Sequence, residues 1–597
     1  MYGYFGKLLR INLKDKTVKV ETFDQSKGEK FIGGRGLATK ILSEEVNPQV
    51  DALGPENKLI FVTGPLTGTP TPTGGRYMVV AKSPLTGTVA CSNSGGYWGA
   101  EFKSTGYDAI IFEEKAVSPV YIYIEDGDVE IRDAAHIWGK NTTEATKALE
   151  AECGDKVRVC LIGPAGEKLS KIAAVVNDYS RAAGRSGVGA VMGSKNLKAI
   201  VVKGSKKPEI YDEAKLKELV AADNKKLREN GVTGQGLPAY GTAILINIIN
   251  ENGILPTNNF QKSYFNMAEE ISGETMAEKY LVKKDPCYRC PIACGRYCKV
   301  EGIEGGGPEY ETIWAFGSDC GVSDLSDIIR ANYWCNELGL DTISAGATIA
   351  AAMELYEKGY IKKEELGGLS LDFGNSEAIV EWTKRIGMRE GLGDKMAEGS
   401  YRLAELYGIP EIAMTVKKQE LPAYDPRGVQ GHGLEYATSN RGGCHVRGYM
   451  ISPEILASPE QLDRFALEGK PQWVKIFQDL TAVIDSMGLC LFTSFALGAA
   501  DYAELFNAVT GSSYTADTIL EAGDRIWNLE RMFNLRAGIK PEEDTLPKRL
   551  LEEKIQEGPS KGWVHKLHEL LPEYYELRGW TKEGIPSEEK LQSLGLK

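Results

Sequence analysis

At Lys206-Lys207-Pro208 the periodicity of the chain changes, and this constrains the fold more than any other feature. Before that point, short apolar runs alternate with glycine-rich turns. Met78-Val79-Val80-Ala81, Ala109-Ile110-Ile111-Phe112, Val120-Tyr121-Ile122-Tyr123-Ile124 and Ala199-Ile200-Val201-Val202 are predicted strands. Among them lie Thr73-Gly74-Gly75-Arg76, Asn93-Ser94-Gly95-Gly96 and the stretch from Arg181 to Gly189, with Gly33-Gly34-Arg35-Gly36 upstream. From Asp212-Glu213-Ala214-Lys215 onward, helical-period segments dominate. The expected fold class is α+β: a β-sheet base domain over residues 1–208, then two mainly α-helical domains over 209–414 and 415–597. The second boundary rests on the return of loop chemistry at Leu421-Pro422-Ala423-Tyr424-Asp425-Pro426-Arg427-Gly428. At 597 residues, several domains are expected in any case.

A net charge of −13, from 70 basic and 83 acidic residues, argues against general nucleic-acid affinity. An acidic electron carrier would need a local basic patch, which the sequence does not locate. The first residues alternate apolar and polar like a strand, not like a signal peptide. No apolar run reaches the roughly 18 residues of a membrane span, so a cytoplasmic protein is expected. Glycine, at 67 residues, exceeds the usual share of about 7%. Its clustering suggests backbone brought close to a bulky ligand.

The eleven cysteines, an odd number, do not suggest a disulfide framework. Cys287-Tyr288-Arg289-Cys290-Pro291-Ile292-Ala293-Cys294 has ligand spacing instead, with thiolates converging from a loop and the first turn of a helix. An iron–sulfur cluster fits, zinc is the structural alternative, and free thiols the third. Cys298 is the local candidate for a fourth ligand and Cys490 the distant one. Cys91, Cys153, Cys160, Cys320, Cys335 and Cys444 read as small buried residues.

Two segments echo each other: Asn336-Glu337-Leu338-Gly339-Leu340-Asp341 and Asp485-Ser486-Met487-Gly488-Leu489-Cys490. Each follows a helical run, where Gly serves as a C-terminal cap, and the pair suggests two loops gripping two similar ligand halves. Of five histidines, His565 and His568 read as solvated and His136 as packed, while His432 has no assigned role. His445 closes Asn440-Arg441-Gly442-Gly443-Cys444-His445, a glycine turn suited to close approach of a ligand. Glu309 and Glu311 precede apolar Ile313-Trp314-Ala315-Phe316, and a carboxylate at such an edge is a candidate general base.

With these pieces assembled, the chain resembles the aldehyde:ferredoxin oxidoreductase family of tungstopterin enzymes essentially end to end. The resemblance is carried by Gly64-Pro65-Leu66-Thr67-Gly68-Thr69, Thr73-Gly74-Gly75-Arg76-Tyr77, Asn93-Ser94-Gly95-Gly96-Tyr97, Arg181-Ala182-Ala183-Gly184-Arg185, the cysteine run, Pro308-Glu309-Tyr310-Glu311, both Gly–Leu segments and Arg441-Gly442-Gly443-Cys444-His445. It implies a β-sheet base carrying a tungsten bis-pyranopterin, with tungsten held by the pterin sulfurs and two helical domains closing over it. It implies Arg76, Gly95, Arg181, Gly184 and Arg185 on the phosphates and pterin edges. Asn336, Leu340, Asp341, Arg447, Asp485 and Leu491 join them in binding the cofactor. A magnesium ion linking the phosphates would touch Asn93 and Ala182. The 4Fe-4S ligands become Cys287, Cys290, Cys294 and Cys490, leaving Cys298 without a role. Glu311 and His445 would stand beside the metal, the first activating water or hydrated aldehyde, the second donating to the carbonyl oxygen. The implied reaction converts aldehyde and water to carboxylic acid, with electrons passing to ferredoxin.

Two departures from the family pattern matter. Asn336 stands where an Asp is usual, so one pterin is expected to be held less tightly. Arg330 stands where a Glu of a bridging iron is usual, and the region of Glu381-Trp382 offers no His. No iron-bridged homodimer is therefore expected. A tungstopterin subunit acting on another acid or acyl couple with a dedicated redox partner, and a zinc-containing scaffold, are the alternatives.

Overall fold

The structure, a computed structural model, describes residues 1–597 apart from Asp24 and Asp155. Its N-terminal third holds β1 Lys7–Asn12, β2 Thr17–Thr22, β3 Leu59–Thr63, β4 Tyr77–Lys82, β5 Val89–Ser94 and β6 Ala109–Glu113. There follow β7 Val120–Glu125, β8 Asp128–Asp133, β9 Arg158–Leu161, β10 Val175–Asn177, β11 Arg181–Ala183 and β12 Leu197–Lys203. They form two six-stranded sheets, ordered β2-β1-β6-β3-β4-β5 and β11-β10-β9-β12-β7-β8.

Taken from its other edge, the second sheet runs β8-β7-β12-β9-β10-β11, matching the first strand for strand. Pairing directions match too. β1–β6 and β7–β12 are parallel, while β3–β6 and β9–β12 are antiparallel. Helices Gly34–Glu45 and Thr142–Cys153 occupy equivalent crossovers, as do Trp98–Ser104 and Val188–Ser194. The base is an internal duplication.

The central strands read as unbroken apolar runs because both of their faces are covered. Phe61, Val79 and Ile110 of the first sheet share a core with Ile122, Cys160 and Ile200 of the second, filled by Trp98, Phe102, Val188 and Met192. On the opposite faces, Ile60, Val80 and Ile111 pack on Leu37 and Ile41, and Tyr121, Leu161 and Val201 pack on Ala145 and Leu149. Each such fully buried large side chain is worth roughly 1.5–3 kcal/mol.

Beyond the base, helices predominate, beginning with Glu213–Glu229, whose N-cap Asp212 accepts from the Lys215 N–H at 2.8 Å. The exception is a three-stranded antiparallel sheet, β13 Leu281–Lys284, β14 Arg296–Val300 and β15 Ile303–Gly306. The cysteine run is the β13–β14 connection and contains no helical turn, contrary to the expected loop-to-helix entry. Left-handed backbone at Arg289 (φ 47°) and Ala293 (φ 50°) accounts for this. A single hydrophobic cluster includes Trp314, Trp382 and Trp527. We propose residues 209–414 and 415–597 as two domains sharing it, with the hairpin Thr415–Val416 and Gln419–Glu420 at their junction. Among the described residues, no helix is long and apolar enough to cross a membrane.

The two Gly–Leu segments are helix ends, as expected. Helix Leu325–Leu338 stops at Gly339 (φ 74°) and helix Lys470–Met487 at Gly488 (φ 84°). Each tip docks on one half of the duplicated base. A Cβ on Gly64, after β3, would fall 2.1 Å from the Met487 carbonyl, and one on Gly163, after β9, 2.4 Å from that of Leu338. The Arg76 N–H donates to Gly488 O at 3.3 Å and the Ala174 N–H to Gly339 O at 2.8 Å. Two similar loops thus rest on two similar sheets.

Candidate active site

Between the base and the two tips lies a cavity of about 360 Å³ bordered by Arg76, Arg181, Arg185, Arg296, Arg441 and Arg447. Arg76 immediately precedes β4 and donates to Asn93 Oδ1 at 2.7 Å. Arg185 follows β11, donates to the Gly443 and Glu420 carbonyls at 2.7 Å each, and meets Asp341 at 3.2 Å. Arg447 holds Asp485 at 2.6 Å, and Asp485 also accepts from Asn93 Nδ2 at 3.2 Å and pairs with Arg35 at 3.3 Å. Arg181 donates to the Asp285 carbonyl.

Burial opposes the charge of Arg76, Arg181, Arg185, Arg296 and Arg441. For Arg76 the thiols of Cys490, Cys287, Cys294 and Cys290 more than restore it, and Cys287 and Asp285 do the same for Arg181. Arg441 is pushed down to about 10 by burial, despite Cys444 beside it. So many buried cations around one space call for an anionic, multidentate ligand.

Gly95, Ala182, Gly184, Asn336, Leu340, Asp341, Asp485 and Leu491 border the same cavity. The structure therefore brings together every residue expected at the pterins and phosphates. At Gly95 a Cβ would come within 2.9 Å of Cys287 Sγ, so open backbone is required there. The residues present fit a large cofactor with phosphate groups.

Cys287, Cys294 and Cys490 border this cavity, and Cys290 feels the charges of Cys490 and Cys287. Burial raises the Cys290 thiol to about 11 and also raises Cys294 and Cys490, a resistance that metal ligation overcomes. Among the described residues, no group of three His, Cys, Asp or Glu side chains is placed to hold a metal ion. Cys298 is separate: burial pushes it to about 12, and it feels Arg296 and Glu309 rather than the other thiols. All eleven cysteines are free, and Cys153 is half-buried where full burial was expected.

The candidate reacting pair stands beside the cavity. Glu311 opens helix Tyr310–Phe316, and its Oε2 accepts from the Ala423 N–H at 3.0 Å. Its Oε1 lies 3.6 Å from His445 Nε2, and His445 borders the cavity. Burial raises the Glu311 carboxyl to about 8, opposed by the Ala423 N–H and by Arg185. Burial, with Arg185, His432 and Arg441, pushes His445 well down, so both groups are neutral near pH 7.

Tyr310, Tyr424 and Tyr449 wall the pair. The Tyr310 hydroxyl donates to Ala423 O at 2.7 Å, and the Tyr424 and Tyr449 hydroxyls are 3.2 Å apart. Beyond Tyr449 lies an apolar chamber of about 180 Å³ bordered by Val232, Leu237, Ile248, Leu456, Phe492 and Phe495. Phe492 also borders the arginine-lined cavity, so the two spaces adjoin.

Sequence reasoning missed His432. It is buried on helix Gln430–Thr438, packs edge-on to Tyr424 at 5.0 Å, and its Nδ1 is 2.9 Å from Glu435 Oε2. Its flanking glycines hid the helix. Two other histidines depart from expectation. His136 is exposed and pairs with Glu152 at 3.0 Å, whereas His565 is buried with Nε2 2.8 Å from Gln430 O. His568 is exposed.

Comparison with known proteins decides the family. Residues 8–204 match the model of the aldehyde ferredoxin oxidoreductase N-terminal domain, and residues 218–596 match that of its domains 2 and 3. The chain belongs to the aldehyde ferredoxin oxidoreductase family. It is 57% identical over 601 residues to the tungsten-containing aldehyde ferredoxin oxidoreductase of Pyrococcus furiosus, covering 100% of this chain and 99% of that one. The protein of the same description from Thermococcus kodakarensis is 56% identical over 602 residues, with the same coverage. Among solved structures, the active site complex BamBC of benzoyl coenzyme A reductase superposes with a TM-score of 0.87 at 27% identity, over 100% of this chain and 97% of that one.

Arg330 donates to Glu301 O at 2.8 Å, and Glu381 pairs with Lys384 at 2.6 Å. The Asn336 backbone carbonyl accepts from Thr142 Oγ1 at 2.8 Å while the residue borders the arginine-lined cavity.

Proposed function

We propose that this enzyme oxidises aldehydes to carboxylic acids and passes the electrons to ferredoxin, a reaction reversible with a low-potential donor. The names of its 56–57% identical relatives support the reading. The observation that carries it is the Glu311–His445 pair, 3.6 Å apart, set where an arginine-lined cavity meets an apolar chamber.

Arg76, Gly95, Arg181, Gly184 and Arg185 would hold the phosphates and edges of a tungsten bis-pyranopterin. Asn336, Leu340 and Asp341 would hold one pterin, and Arg447, Asp485 and Leu491 the other. Magnesium would sit against Asn93 and Ala182, and Cys287, Cys290, Cys294 and Cys490 would ligate a 4Fe-4S cluster. Bound there, the tungsten centre supplies the two-electron oxidation and the cluster the one-electron exit.

The protein's own groups handle protons and position. Glu311, once ionised, takes a proton from water or from the hydrated aldehyde through its unpartnered Oε1. His445 donates from Nε2 to the carbonyl oxygen, drawing charge away from the carbon under attack. The apolar chamber receives the aldehyde's side chain and excludes water. The balance is one aldehyde and one water giving one acid, two electrons and two protons.

A relative from Pyrococcus furiosus described as an aliphatic sulfonate oxidoreductase subunit is 34% identical over 642 residues. The chamber bordered by Val232, Leu237, Phe492 and Phe495 offers no cation for a sulfonate, which favours the aldehyde. Eleven free thiols suit a reducing compartment, and we place the protein in the cytoplasm without nucleic-acid or membrane partners. No iron-bridged dimer is expected.

Anaerobic metal analysis with an aldehyde-dependent dye assay tests the proposal. About one tungsten and about four irons per chain, with aldehyde-driven dye reduction, are expected. Zinc alone, without tungsten or molybdenum, would overturn it.

A further inference from the structure

Residues 279–299 hold six basic residues, Lys279, Lys283, Lys284, Arg289, Arg296 and Lys299, against one acid, Asp285. The chain as a whole carries −13. This local reversal of sign wraps around the loop that bears Cys287, Cys290 and Cys294. Only Arg296 of the six is buried, and Asp285 is already paired with Arg181 at 3.2 Å. Lys283 lies over the Tyr297 ring at 4.9 Å, and Arg289 donates to the Tyr288 hydroxyl at 3.3 Å. Lys299 is paired with Glu304 at 3.6 Å, whereas among the described residues Lys283, Lys284 and Arg289 form no ion pair. Val282, next to Lys283 on β13, is 56% exposed.

We propose that the β13 edge and the cysteine loop, through Lys283, Lys284 and Arg289, form the docking surface for an acidic one-electron carrier protein. The proposal rests on the function above and names the face through which electrons leave. Overall repulsion between two acidic proteins makes a local basic patch the one productive approach, so the patch orients the encounter as well as attracting it. Val282 supplies an exposed apolar contact beside Lys283. Arg289, between Cys287 and Cys290, places a cation next to the ligand loop.

The test uses the holoenzyme and a purified acidic ferredoxin. Lys283→Glu with Lys284→Glu should weaken ferredoxin binding by calorimetry at least about tenfold at low salt and lower kcat/KM for ferredoxin equally. Salt should close the gap, since exposed charges are screened within about 8–10 Å at physiological ionic strength. Lys283→Gln with Lys284→Gln should give a smaller loss. Reversing Lys548 and Lys582, which changes net charge equally elsewhere, should leave both readings near wild type. Aldehyde oxidation with a viologen dye reports the chemistry separately, so its absence in the wild type would count against the proposed function alone. Unchanged binding and an unchanged salt slope in the Lys283/Lys284 variants, or an equal effect from Lys548/Lys582, would overturn the docking surface.

Discussion

Glu311 Oε1 and His445 Nε2 stand 3.6 Å apart, too far for a hydrogen bond, and both Glu311 Oε1 and His445 Nδ1 are buried without a partner. An unsatisfied buried polar atom costs about 1–3 kcal/mol, so a fold that leaves Glu311 Oε1 unpaired beside the His445 ring is holding hydrogen-bonding capacity in reserve. A reacting oxygen atom would draw on it.

Glu311 works as a base only when ionised, and burial holds its carboxyl up at about 8. Below that pH the group is neutral and cannot accept a proton, so kcat/KM for aldehyde oxidation should climb between pH 6 and 9. A profile that is flat over this range would contradict the assignment.

The four gathered thiols and the separate Cys298 give opposite expectations for one substitution. Cys490→Ser should lose most of the cluster iron, counted by iron analysis and by the cluster's electron paramagnetic signal. Cys298→Ser should keep both. Loss in the second variant and retention in the first would move the fourth ligand to Cys298.

Gly64→Ala and Gly163→Ala should damage the protein alike, because each added Cβ meets the backbone of a Gly–Leu tip at 2.1 and 2.4 Å. Overpacking of this kind costs about 1–3 kcal/mol or more, visible as a lower unfolding temperature and reduced tungsten content. Gly498→Ala, with nothing within 4 Å of its Cβ, should leave both unchanged. A tolerated Gly64→Ala would argue against rigid docking of the tips.

Much of this was legible in the residues, for physical reasons. Strands such as Ala109–Glu113 stood out because burial on both faces demands unbroken apolar runs, and Gly339 and Gly488 because a left-handed cap favours glycine. The duplication of the base was hidden. Gly64-Pro65 and Gly163-Pro164 are its short sequence trace, while the paired strands share burial and direction rather than residue identity. His432 was hidden because Gly431 and Gly433 disfavour a helix in isolation, by up to about 1 kcal/mol each. Packing of Leu434, Tyr436 and Ala437 into the core overrides that preference. The burial of His565 depends on Gln430, 135 residues away, a contact that local sequence does not encode.

Asp485 gathers Arg447, Arg35 and Asn93 beneath the second tip. Asp485→Ala should cost about 3–5 kcal/mol by leaving Arg447 without its carboxylate, and should lower cofactor retention. Calorimetric unfolding of the variant checks it, and an unfolding temperature within a degree of wild type would show that the network is not needed for stability.

The proposed reaction depends above all on Glu311 as the group that takes the proton. The most direct measurement compares Glu311→Gln with wild type at equal tungsten and iron content, following aldehyde oxidation with a viologen dye. Turnover should fall at least about a hundredfold, as expected for loss of a general base, with metals retained. Wild-type turnover in the metal-replete variant would contradict that role.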